Sequence, residues 1–283
     1  MTRQARIAAL AVILLGIGSA IGVVGEENVA GLFAIGSSAR GQGLGGAFSA
    51  LADDEGAVYH SPAALGWGEG IGLSSLFVQQ FGGVLFGSLG IRVPYAGANV
   101  FLLDSGPIPA DTGTLRFSSQ GVAASVGIPL GMVGLGVRWR YYRVSSPSPG
   151  TGWAIDPALL AIANNVRVSL IYEAAASAPI SYRSGTAEAW PRGLLLGAAL
   201  TLDPTDGVRW NAAIEASGLF TSEATLSAGL EAWIGGLGAR VGFDGEGPTF
   251  GLSLLFPTLR VDWAFSTRSD LGNSHRVALA LRF

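Results

Sequence analysis

From Ile71 to the C-terminus the chain is written in segments of about ten residues, in which large apolar side chains alternate with small or polar ones. In 274-SHRVALALRF-283, Val277, Leu279, Leu281 and Phe283 share one face, while Arg276, Ala278, Ala280 and Arg282 share the other. In 258-TLRVDWAFST-267, Leu259, Val261, Trp263 and Phe265 oppose Arg260, Asp262, Ala264 and Ser266. In 131-GMVGLGVRWRYY-142, Val133, Leu135, Val137, Trp139 and Tyr141 oppose Gly134, Gly136, Arg138 and Arg140. A period of two is the mark of strands with one apolar face. It fits a soluble sandwich as well as a membrane barrel, so the polar face must decide.

That face is mostly glycine, alanine, serine and isolated charges, and only 13% of the chain is charged, against about 25% in ordinary proteins. A water-facing surface would carry denser charge. Aromatic residues (Trp139, Tyr141, Tyr172, Trp210, Trp233 and Phe283) fall near strand ends, where the girdles of a membrane barrel sit. The pattern therefore predicts an all-β fold, a transmembrane antiparallel β-barrel with its apolar face in lipid and its small or polar face in the lumen. Only helices and closed barrels satisfy backbone groups in a bilayer.

Fourteen strands are expected, near 71–79, 82–93, 96–103, 115–128, 131–143, 152–163, 165–173, 192–202, 208–216, 224–234, 237–244, 248–256, 258–267 and 274–283. Asn164-Asn165, Gly235-Gly236 and Pro257-Thr258 suit tight hairpins. Longer links are expected at 104–113, 145–152 and 174–191. Such a division between short turns and long loops belongs to outer-membrane barrels. The Gly235-Gly236 turn predicts a register: Ile234 beside Leu237 and Ala232 beside Ala239 on the lipid face, Trp233 beside Gly238 and Glu231 beside Arg240 on the lumen face.

The N-terminus sets the compartment. Arg3 and Arg6 precede an uncharged run from Ile7 to Gly25, with small residues at Gly18-Ser19-Ala20 and Val23-Val24-Gly25. This describes a secretory signal peptide over residues 1–25, cleaved near 20–25. The competing reading is an uncleaved anchor helix. Residues 26–70 then form an N-terminal plug or hatch-like segment, and 71–283 the barrel. All 17 basic residues are arginine, cysteine is absent, and the net charge of −3 points to no nucleic-acid partner.

Within the first segment, Gly41-Gln42-Gly43-Leu44-Gly45-Gly46 reads as G-x-G-x-x-G. A dinucleotide fingerprint needs a buried strand before it and a crossover helix after it. Gly36 to Arg40 is a poor core strand, so glycines 41, 43, 45 and 46 are expected to let the backbone turn and pack closely in a narrow lumen. His60 and His275 are the only histidines. A serine nucleophile at Ser61 or Ser274 would need a base and an orienting group, and adjacency to a histidine points the side chains apart. No enzyme and no cofactor is implied. Asp53, Asp54 and Glu55 lack calcium-loop spacing and read as a solvated turn or helix cap.

Strand phase places Arg92, Arg138, Arg140, Arg167, Arg209, Arg240, Arg260, Arg276 and Arg282 inward, with Glu173, Glu215, Glu231 and Asp262. An anion-tolerant pathway and a set of internal salt bridges filling the barrel both fit, and pairing is the preferred reading.

The stretch 33-FAIGSSARGQGLGGAFSALADDEGAVYHSPAAL-65 resembles the N-terminal signature of PorV/PorQ-type outer-membrane proteins, within the wider FadL-like group of barrels. That signature runs through a glycine-rich segment, Ala-Asp-Asp, an aromatic residue and Asn-Pro-Ala. Asp53-Asp54, Tyr59 and Ser61-Pro62-Ala63 hold those places here, with Ser61 where asparagine is usual. The end, 262-DWAFSTRSDLGNSHRVALALRF-283, is similar to the family's closing strands, and 153–174 is similar more loosely. The resemblance implies a fourteen-stranded barrel with its N-terminal segment in the lumen, placed in the outer membrane lipid. It implies one of two functions. The first is a FadL-like passive conduit for small hydrophobic compounds, gated or lined by Gly41, Gly43, Gly45, Gly46, Phe48, Asp53, Asp54, Tyr59, Ser61 and Pro62. The second is a PorV-like accessory or scaffold that binds secreted or surface proteins and transports nothing. The apolar loop residues Ile108, Ile180 and Trp190 would serve either. The last strand, ending at Phe283, resembles the signal read by the barrel-assembly machinery.

Overall fold

The structure, a computed structural model, describes residues 29–80, 84–110, 113–146, 148–203, 207–221, 224–267 and 273–283. The expected signal peptide at 1–25 and Leu271-Gly272 of the family-like ending lie outside the described residues.

Fourteen antiparallel strands form one closed barrel, each paired with its neighbour in sequence. They are β1 (Gly72–Gln80), β2 (Val84–Val93), β3 (Ala96–Asp104), β4 (Ser118–Leu130), β5 (Val133–Ser146), β6 (Gly150–Ala163) and β7 (Val166–Glu173). The second half is β8 (Gly193–Leu202), β9 (Val208–Leu219), β10 (Thr225–Ile234), β11 (Leu237–Phe243), β12 (Pro248–Leu255), β13 (Leu259–Ser266) and β14 (Ser274–Arg282). β14 pairs with β1 and closes the cylinder, and Phe283 extends the seam by exchanging backbone hydrogen bonds of 2.9 and 3.1 Å with Ile71. Closure leaves the fourteen barrel strands without a free edge strand.

The alternation sorts side chains as the sequence pattern requires. On β14, Val277, Leu279 and Leu281 are exposed, while Arg276, Ala278 and Ala280 are buried. The Gly235-Gly236 hairpin has the predicted register, Ile234 beside Leu237 and Glu231 beside Arg240. Ile234 and Leu237 are 62% and 61% exposed, which only a lipid surround makes favourable for such a band. The turns at Asn164-Asn165 and Gly235-Gly236 carry positive φ at Asn164 (52°) and Gly235 (56°), as primed hairpin turns demand.

Four details differ from the sequence reading. The 145–152 link is shorter than expected, because β5 and β6 continue to Ser146 and from Gly150. The 174–191 link is not a plain loop: Ala176–Tyr182 pairs with the upper part of β6 and with Ala187–Glu188. Trp233, expected both among the girdle aromatics and on the lumen face beside Gly238, is no girdle residue and faces inward as the register predicts, its ring 5.6 Å from the Arg240 guanidinium. Arg209, the second residue of β9, is exposed at the rim and donates to Asp203 at 2.6 Å, because water is available at the strand end.

The core of this molecule is its lumen. The segment from Val29 to Gly70 runs inside the barrel as α1 (Val29–Ala34), α2 (Ala39–Gly43), α3 (Ala57–His60) and a 3₁₀ turn, Pro62–Trp67, before feeding β1. All are short, since the segment is shaped by the walls it touches rather than by helix propensity. Ser38 caps α2 by accepting from the Gly41 N–H at 3.0 Å.

Candidate functional site

The lumen segment and the wall meet in three layers. At the long-loop end sits an aromatic cluster centred on Phe33 of α1. Its ring is surrounded by Phe101 of β3 (5.4 Å between centroids), Trp190 (5.7 Å), Tyr142 of β5 (6.1 Å) and Tyr59 of α3 (6.2 Å). The Arg140 guanidinium lies 5.5 Å from the Phe33 ring and 5.2 Å from that of Trp190. Edge and cation contacts of this kind select an aromatic ring over an aliphatic group of equal size. The Tyr59 hydroxyl donates to the Phe33 carbonyl at 2.7 Å, fixing α3 to α1.

Ile180 and Trp190 close this layer from above. Both are buried, and the Trp190 indole N–H donates to the Ala178 carbonyl at 2.9 Å. They are therefore packed into the lumen against the Phe33 layer rather than exposed on the loop surface. Ile108 is exposed.

The middle layer is ionic. Arg40 of α2 donates from Nε and Nη2 to the two carboxylate oxygens of Glu231 at 2.8 and 2.7 Å, and from Nη1 to Asp53 and Asp54 at 2.5 and 3.0 Å. Glu231 also accepts from Arg240 at 2.9 Å and from Asn211 at 2.9 Å. Arg260 of β13 reaches Asp54 at 3.0 Å and Asp262 at 2.8 Å, and Arg282 donates to Glu55 at 2.7 Å. Asp54 and Glu55 are fully buried, so the acidic run is no solvated turn. Of the three, Asp53 alone faces water. The turn itself is present, since Asp54 Oδ1 accepts from the Gly56 N–H at 2.8 Å. The sequence reading missed that this run carries the counter-charge for wall arginines across the lumen. A second network joins Arg138 and Arg140 to Asp156 of β6 at 2.7 and 2.8 Å. Asp156 went unlisted among inward charges, because Pro157 and the alanines around it blur the strand phase.

Burial raises the Asp54 carboxyl, but Arg260 and Arg40 outweigh it and hold that carboxyl well below the usual range. At His60, burial and the nearby Arg138 push the imidazole down to about 4, against the pull of Asp54. His60 Nε2 accepts from the Ser37 N–H at 3.4 Å. His275 packs on Phe265 at the lipid face, whereas Ser274 is buried on the lumen face.

The third layer is backbone on backbone. A Cβ at Gly43 would stand 3.1 Å from the Gly251 Cα, and one at Gly45 (φ 72°) would stand 2.2 Å from the Phe243 carbonyl oxygen. The wall answers with glycines of its own: Gly229 and Gly242 receive Leu44 and Gly45 at distances no side chain would permit. The G-x-G-x-x-G is a docking turn. Gly41 leaves room for the Phe48 ring, and Phe48 is buried under the Arg40 guanidinium, folding the segment on itself rather than joining the Phe33 layer. Lower down, the Pro62 carbonyl and the Ala63 N–H press on Gly127 and Gly136, and Ser61 is buried. Of the predicted lumen-segment residues, Tyr59 reaches the aromatic layer, where the predicted loop residue Trp190 also lies, Asp53 and Asp54 lie in the ionic one, and Gly43, Gly45 and Pro62 lie against the wall. Phe33, Arg40 and Glu55 were missed. An aromatic and an arginine flanking the glycine-rich run was the available signal.

No protein-family profile matches the sequence, and no curated protein sequence matches it. Solved structures do. The CymD monoaromatic hydrocarbon channel is similar with a TM-score of 0.60 and 13% identity, covering 88% of this chain and 98% of that one. The toluene transporter TbuX of Ralstonia pickettii is similar at 0.57 with 12% identity, over 88% of this chain and 98% of its own. The toluene transporter TodX of Pseudomonas putida is similar at 0.56 with 13% identity, over 87% and 97%. At these identities the likeness is one of fold. With the apolar exterior and closed sheet, it makes this an outer-membrane β-barrel.

Proposed function

We propose that the barrel is a FadL-like passive conduit for small hydrophobic compounds, with monoaromatic hydrocarbons as the substrate class and the lumen segment as its gate. One observation carries this reading: the Phe33 ring occupies the centre of an aromatic cage whose other walls belong mostly to the barrel and its loops. A benzene-sized guest offers the same face and edges to Phe101, Tyr142 and Trp190. Displacement of Phe33 by such a guest would unseat α1 and start movement of the segment. The segment is held by glycine contacts and ion pairs and also by apolar packing, in which Leu32, Phe33, Leu44, Phe48, Leu51 and Leu65 are buried, so a guest that replaces Phe33 takes over part of that packing as the segment moves. The relatives in fold named above are hydrocarbon channels or transporters by description, which agrees with the reading.

A second reading rests on the same fullness of the lumen. A PorV-like scaffold needs no pathway, and a segment whose Arg40 pairs with both Asp54 and Glu231 would serve as a permanent filler. Uptake of labelled toluene by cells carrying the protein separates the two. The conduit gives uptake above that of cells without it, and the scaffold gives none.

A further inference from the structure

At the long-loop end the outer wall of β5 and β6 bears a hollow that carries two arginines. The lipid-facing pairs along these strands change in order: Val137 beside Pro157, Trp139 beside Ile155, Tyr141 beside Trp153, then Arg143 beside Thr151. Aliphatic residues give way to aromatic ones and then to a guanidinium and a hydroxyl. That is the sequence of environments from acyl chain through interface to headgroup. Arg143 stands one pleat repeat, about 7 Å, beyond the aromatic pair. The neighbouring strand Ala176–Tyr182 sets Ser181 beside Thr151, and Arg183 follows on the same side.

Together Tyr141, Arg143, Thr151, Ser181, Tyr182 and Arg183 line a concavity of about 520 Å³. No carboxylate lines it among the described residues. Glu188, the nearest acid in register, pairs with buried Ile180 and accepts from the Tyr182 hydroxyl at 2.6 Å, on the inner side. The Arg143 and Arg183 side chains are exposed and make no ion pair with any described residue, unlike Arg116 of another long link, which is paired with Asp104. Two unpaired guanidinium forks, two hydroxyls and a phenol converging on one hollow match the oxygens of a phosphate group.

We infer that this hollow binds the phosphate of a lipid headgroup in the outer leaflet. A membrane lipid, rather than a dissolved anion, is favoured because four of the hollow's lining residues, Tyr141, Arg143, Thr151 and Ser181, lie on the outward face above the apolar and aromatic bands, so its occupant's chains would run down over Trp139 and Trp153. The inference is independent of whether the lumen conducts.

The test is native mass spectrometry of the full-length protein in detergent, offered equal amounts of phosphatidic acid and phosphatidylcholine, with inorganic phosphate as a separate probe. The wild type retains phosphatidic acid in preference. The double variant Arg143→Gln/Arg183→Gln loses that preference roughly tenfold or more, the size of one charge-assisted hydrogen bond. Arg116→Gln keeps it. Heat-modifiable gel mobility checks that each variant is folded. Equal retention of the two lipids by the wild type, or unchanged preference in the double variant, overturns the inference. Saturable binding of inorganic phosphate without preference for phosphatidic acid also overturns it, and assigns the hollow to a soluble anion.

Discussion

Arg40 in the lumen and Glu231 on β10 are joined by two parallel hydrogen bonds, at 2.8 and 2.7 Å, between groups 191 residues apart. This fork ties the segment to the wall through both oxygens of one carboxylate. Both groups are buried, so removing one strands the other in a low dielectric. Arg40→Met should cost about 3–5 kcal/mol in docking of the segment while leaving the barrel closed. Hydrogen exchange is expected to rise over residues 39–60, with that of β1 and β14 unchanged. Arg40→Lys should recover little, since an ammonium cannot make the fork. Unchanged exchange in Arg40→Met would remove the latch from the account.

Phe33→Ala should leave a ring-sized void in the aromatic layer, at a cost of about 3–5 kcal/mol. Toluene should fill it. Thermal melting in detergent is expected to show a larger toluene-induced rise for Phe33→Ala than for the wild type. An equal or smaller rise would mean that the cage does not recognise rings.

The docked segment should loosen in acid, in two steps. His60, held neutral with a pKa near 4, gains its proton more readily once undocked, where the ordinary value is about 6.5. The undocked form thus binds more protons between these values, and docking weakens as pH falls from about 6.5 to 4. Asp54, whose folded pKa is depressed, continues the loss below its ordinary value of about 3.9. Exchange of the 57–60 backbone, corrected for intrinsic rate, is expected to be flat above pH 7 and to rise through the first window. His60→Gln should flatten that first step alone.

Phe283 donates to and accepts from Ile71 where the last strand meets the first, and it projects outward. Its deletion should lower the amount of heat-modifiable barrel in the membrane without changing the melting of what does assemble. Normal yield would separate the terminal aromatic from assembly.

The barrel was legible because period two is a local signal: each strand declares its lipid face independently, and Ile234 and Leu237 do so on either side of one turn. The lumen segment was not, because its structure follows from long-range pairing. Nothing local tells that Asp54 will meet Arg260, or that Glu55 will meet Arg282, and an acidic run beside a turn reads as solvated when its partners are unknown. The excess of inward arginines over inward acids on the strands was the trace of those missing partners. Trp233 carries two signals: its place near a strand end suggests a girdle, and its phase with Glu231 puts it inside, where it lies.

The proposed gate is tested most directly by tying it shut. The chain has no cysteine, and the Ser49 hydroxyl of the lumen segment lies 2.6 Å from that of Ser169 on β7. Ser49→Cys/Ser169→Cys can form a single cross-link between segment and wall. Labelled toluene uptake should match the wild type under reducing conditions, fall to the level of cells lacking the protein on oxidation, and return with reductant. Equal uptake by the oxidised and reduced forms would contradict the account.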